Sequence, residues 1–160
     1  MYQDDSTARF GTSDDSVLIE VRRARTSRPL ENLAIHYASL FPGGEIIRPG
    51  DSEEYVKLND KNAYKVVFGT KYIRKRKRIP DQGKQSESIP EGWSAAKMED
   101  PETGQSVAVA RGPVIPRERI LYLVQGDPYV YYVSMRADGE AIESARDRFE
   151  KFVRQEIKYR

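Results

Sequence analysis

The runs Ile120 to Val124 and Tyr129 to Val133 carry apolar side chains at consecutive positions, and a short Gly126-Asp127-Pro128 break lies between them. Strand side chains alternate between the two faces of a sheet, so a consecutive apolar run needs cover on both faces. Arg119 to Gln125 and Tyr129 to Arg136 therefore read as an antiparallel hairpin within a layered domain. A final helix follows, with Asp138 expected to cap it. Its buried face is Ile142, Ala145, Phe149, Phe152 and Val153. Its wet face is Glu143, Arg146, Asp147, Glu150 and Arg154.

The first half of the chain supplies more layers. Thr7 to Gly11 reads as a short strand and Thr12 to Asp15 as a turn. Ser16 to Ala24 alternates, with Val17, Ile19 and Val21 on one side and Glu20 and Arg22 on the other. Pro29 suits the first turn of a helix, with Ser27 or Arg28 near the cap. Leu30, Leu33, Ala34, Tyr37, Ala38 and Phe41 then form one amphipathic stripe, which Pro42-Gly43-Gly44 ends. Short strands are expected over Glu45 to Arg48 and Glu54 to Leu58. A longer one runs from Ala63 to Ile73, with Tyr64, Val66 and Phe68 on one face and Lys65 and Val67 on the other. Residues 79–118 hold five of the nine prolines and four of the eleven glycines. They read as an excursion from the sheet. It contains a hairpin from Trp93 to Met98 and Ser106 to Ala110, with Gly83 to Ser88 its most mobile part.

Composition excludes several chemistries. With no cysteine there are no disulfides, thiol nucleophiles or cysteine metal sites. One histidine, His36, excludes a multi-histidine metal site, and its place beside the first helix's stripe predicts a surface position. No Gly-x-Ser-x-Gly elbow and no glycine-rich loop opening a helix is present. The acid pairs Asp4-Asp5, Asp14-Asp15 and Glu99-Asp100 read as solvated turn residues. The expectation is a non-enzymatic protein with no cofactor, no metal and no catalytic residues.

Charge is distributed unevenly. Lys and Arg total 27 against 25 Asp and Glu. Six of the cations lie in the octet from Lys71 to Arg78, which has no acid, and the remainder is 21 basic against 25 acidic. The candidate binding residues are Lys71, Arg74, Lys75, Arg76, Lys77 and Arg78. Strand alternation would place Arg74, Arg76 and Arg78 on one side and Lys75 and Lys77 on the other. Such a ribbon suits an acidic protein or an anionic lipid surface ahead of nucleic acid, or protects an edge strand by charge alone.

The order strand, helix, short strand, long strand, excursion, hairpin, long C-terminal helix resembles the PsbP-like superfamily. Three stretches carry the resemblance: Val17 to Val21 before Leu30 to Phe41, Ala63 to Phe68, and Ile120 to Met135 running into Ala141 to Phe152. It implies an α+β fold, a largely antiparallel sheet packed with helices as an α/β/α sandwich, over one domain spanning 1–160. It also implies an accessory or interaction domain that binds a protein partner, set at the bacterial cell envelope on the periplasmic side, as an exported or lipid-anchored protein. A polyanion-binding module using strand 71–78 is the alternative function. The opening Met-Tyr-Gln-Asp-Asp has no basic region or apolar run, which fits a cytoplasmic chain or one freed of its leader.

Overall fold

The computed structural model describes residues 7–41, 53–68, 72–78 and 91–159, with backbone alone at 53, 54 and 75–78. The expected strand at Glu45 to Arg48, the stop at Pro42-Gly43-Gly44, the segment Gly83 to Ser88 and the candidate Lys71 lie outside the described residues. The protein is α+β; the described residues form eight strands, all paired antiparallel, and two α-helices. It divides into two compact units, residues 1–71 with 117–160, and residues 72–116.

In the first unit the sheet order is β1 (Thr7–Gly11), β2 (Val17–Arg25), β8 (Tyr129–Asp138), β7 (Ser106–Gln125), β4 (Lys61–Phe68) and β3 (Glu53–Leu58). β7 enters this unit with residues 117–125. β1 and β2 are joined through the expected turn, where Asp14 Oδ1 accepts the Ser16 N–H at 3.1 Å. β3 and β4 are joined by Asn59-Asp60, both at positive φ (49° and 65°), the conformation that a type I′ hairpin requires.

Helices cover opposite faces of this sheet. α1 (Leu30–Ser39) buries Leu30, Leu33, Ala34, Tyr37 and Ala38 against Tyr64, Val66, Phe68, Leu121, Leu123 and Val130. The stripe expected up to Phe41 holds, although the helix stops at Ser39. Phe41 still stacks near Tyr37 and Phe68, at 5.3 and 5.7 Å between ring centroids. α2 (Ala141–Lys151), prolonged by a π-helical turn (Phe152–Glu156), packs Ala145, Phe149 and Val153 onto Ile120, Tyr122, Val124, Val133 and Met135. Ile120, Tyr122 and Val124 thus serve one layer and Leu121 and Leu123 the other, which is why this run is apolar at every position. Val17, Ile19 and Val21 join the α2 side.

Three local expectations change. Asp138 does not cap α2. It ends β8, the residue preceding the helix is Glu140, and the Asp138 carboxylate is taken by Arg117. Glu150 is not on a wet face, because it turns back to Tyr122 and Lys65. Phe152 is half-buried, resting edge-on against Phe10 at 6.2 Å.

In the second unit the amino-terminal half of β7 is the central strand. β5 (Tyr72–Arg78) pairs one side of it and β6 (Ser94–Glu99) the other. β6 and β7 form the expected hairpin around Asp100 to Gln105, with Glu99 opposite Ser106. β7 begins at Ser106, well before the expected Arg119, and runs through Pro113 and Pro116. Among the described residues β6 pairing ends at Arg111 and β8 pairing begins at Arg117, so no ladder on that flank needs an N–H from either proline. The register to β5 also shifts between Arg74 and Arg76, opposite Gly112-Pro113. Gly112 is required where it is: a Cβ there would meet the Trp93 indole at 2.7 Å.

Candidate functional site

The expected basic strip is β5. Among the described strands it pairs only with β7, so it is an edge. Its register partners are Pro116, Ile115, Val114, Arg111, Ala110 and Val109. None is an acid, and Arg76 lies directly opposite Arg111. Like charges facing each other across a ladder are destabilising, and this strip sets concentrated positive charge in register with no acid among its β7 partners. Arg74 is exposed. Lys75, Arg76, Lys77 and Arg78 are placed by their backbone.

A second cationic site, which the sequence reading did not single out, lies in the first unit. Register aligns Phe68, Arg119, Arg136 and Leu18 across four strands, and Val66, Leu121, Ser134 and Glu20 in the neighbouring row on the same face. Tyr37 and Phe41, from the end of α1, stand over this corner and enclose a cavity of about 210 Å³. Arg9 on β1 and Arg136 on β8 also line it, and both are ion-paired. Arg9 Nε holds Glu20 at 2.8 Å, and Arg136 Nη2 holds the Asp15 carboxylate at 2.8 Å and its carbonyl oxygen at 2.7 Å.

Arg119 differs. Its guanidinium stacks on the Phe41 ring at 4.2 Å and has no carboxylate partner among the described residues. Burial, with the nearby Arg117 and Arg136, brings its pKa down to about 10, so it remains protonated near neutrality. Tyr37 donates a hydrogen bond to Ser134 Oγ at 3.2 Å, and burial pushes its own pKa up. Near neutrality the corner therefore presents hydrogen-bond donors that do not titrate. That equips it to hold an anion, not to move protons.

A third polar group lies under α2. Tyr122 donates to Glu150 at 2.6 Å, and Lys65 meets the same carboxylate at 2.9 Å. Each member is satisfied by the others, which is the pattern of a structural network. Burial raises the pKa of Glu150, but hydrogen bonds from Tyr122 and Lys65 outweigh it and hold the carboxyl below its ordinary 4.5. A carboxyl depressed by folding stabilises the protein above its unfolded pKa, and that contribution is lost as pH falls through the lower folded value. Glu150→Gln is therefore expected to be less stable than the parent at pH 7, with a shallower loss below about pH 4.5. Urea melts at pH 7 and pH 3.5 measure both. Parallel pH profiles would contradict the assignment.

A signal for the Arg119 corner was present. Alternation puts Arg119 on the face of Leu121 and Leu123, and Arg136 on the face of Ser134, Tyr132 and Val130. A charge that continues an apolar, helix-covered face needs a reason to be there. Of the acid pairs, Asp4-Asp5 lies outside the described residues; Asp14 and Asp100 hydrogen-bond their own turns, while Asp15 reaches Arg136. His36 is exposed. No family model matches the chain, and no curated protein or solved structure matches it.

Proposed function

We propose that the protein is a non-enzymatic accessory domain of PsbP-like type, acting at the cell envelope, that binds an acidic protein partner through the basic edge strand β5. The observation that carries this reading is the register of β5, which pairs a strand of five cations with no acid and sets Arg76 against Arg111. An edge strand can be extended by pairing with a partner strand, and its charge selects an acidic one and speeds encounter. The placement of one helix after an early strand and one after the last hairpin, on opposite sheet faces, supports the PsbP-like part.

The test uses immobilised poly-glutamate. The parent is expected to be retained at low salt and released as salt rises. Changing Arg74, Arg76 and Arg78 together to Gln is expected to abolish retention and leave the thermal melt nearly unchanged, since replacing charged residues along an edge strand usually changes stability little. A parent that ignores poly-glutamate at low salt overturns the reading. Retention on heparin or anionic vesicles without retention on poly-glutamate would replace it with polyanion binding.

A further inference from the structure

We infer that the cavity beside Arg119 is a binding site for a small monocarboxylate with a compact apolar body. The site lies in the first unit and is independent of the β5 surface. Its charge balance selects the anion. Glu20 and Asp15 neutralise Arg9 and Arg136, leaving, among the described residues that line the cavity, one positive charge without a carboxylate partner, on Arg119. A single carboxylate completes that balance, whereas a dianionic phosphate would exceed it. A guanidinium stacked on an aromatic ring keeps its in-plane N–H fork free for a bidentate carboxylate contact, and among the described residues nothing occupies that fork. Ser134 Oγ accepts the Tyr37 hydrogen bond at 3.2 Å, so its own O–H is left to donate.

Shape and size narrow the class further. The volume, about 210 Å³, lies below the ~300 Å³ lower bound of pockets for drug-sized ligands. The Tyr37, Phe41 and Phe68 rings supply an apolar wall close to the charge. A purely structural arginine would not need this arrangement. A leucine at 119 would continue the Leu121–Leu123 face without the desolvation cost that a half-buried guanidinium with no carboxylate partner among the described residues incurs.

Benzoate is a suitable probe, with neutral benzamide and inorganic phosphate as controls, followed by amide NMR on the full chain. Benzoate is expected to give saturable shifts centred on Arg119, Ser134 and Arg136, and benzamide none. Arg119→Gln is expected to weaken benzoate binding ~10-fold or more, as loss of a charge-assisted bidentate contact implies. Arg119→Lys should fall between the two. Should Arg119→Gln fail to fold, Ser134→Ala serves in its place, with binding weakened several-fold. The β5 triple variant should bind benzoate like the parent. Absence of saturable benzoate shifts, equal response to benzamide, tighter binding of phosphate, or Arg119→Gln binding as the parent does would each overturn the assignment.

Discussion

Phe149→Ala is expected to cost ~3–5 kcal/mol, the range for removing a fully buried aromatic side chain. Phe149 has no exposed surface, packs within 5.9 Å of the Tyr122 ring, and sits at the centre of the α2 layer between Ala145 and Val153. The loss combines transfer of the ring to water with the void left behind, because the sheet beneath is held by its ladder and cannot collapse into the gap. For a chain of this length the melting temperature should fall by roughly 6–20 °C. The half-buried Phe152 supplies the contrast, with a distinctly smaller loss expected for Phe152→Ala. A circular-dichroism melt of Phe149→Ala close to that of the parent would refute this packing.

What the sequence discloses and what it conceals divide along the range of the interaction. The α1 stripe, the alternation of β2 and the apolar runs of β7 and β8 are periodic within a few residues, so burial can be read from them directly. Asn59-Asp60 is a local signal as well, but it has physical meaning only once β3 and β4 are paired. Asp138 and Glu150 mislead for the same reason. Each has a plausible local role, a cap or a wet position, while its actual partner lies 21 or 28 residues away. Arg119 is harder still. Its significance depends on the register that puts Arg136 beside it, on the ion pairs that take Arg9 and Arg136 and leave it without a carboxylate partner among the described residues, and on Phe41 arriving from α1. No window along the chain contains those three facts together. The basic octet shows the reverse case: its composition is plain in the sequence, but its edge position and acid-free register need the ladder.

The Asp138–Arg117 pair is expected to be the polar contact whose loss costs most. The Asp138 side chain is 3% exposed and Arg117 19%. Two nearly parallel hydrogen bonds join them, Nε to Oδ1 at 2.7 Å and Nη2 to Oδ2 at 3.0 Å. Register places the two residues directly opposite each other at the end of the β7–β8 ladder. Asp138→Ala removes the carboxylate and leaves the Arg117 charge desolvated, two positions along β7 from Arg119 and on the same face. Removing one partner of a buried pair costs ~3–5 kcal/mol, and the residual exposure of Arg117 favours the lower end. Arg117→Met alone should cost a similar amount by stranding the carboxylate. Replacing both, with Arg117→Met and Asp138→Ala, should recover much of the loss, because no charge is then buried without a partner. Urea midpoints for the four proteins, at unchanged slope, measure the coupling. If Asp138→Ala lies within about 1 kcal/mol of the parent, or if the two single losses simply add in the double variant, the pair is not the coupled buried contact described.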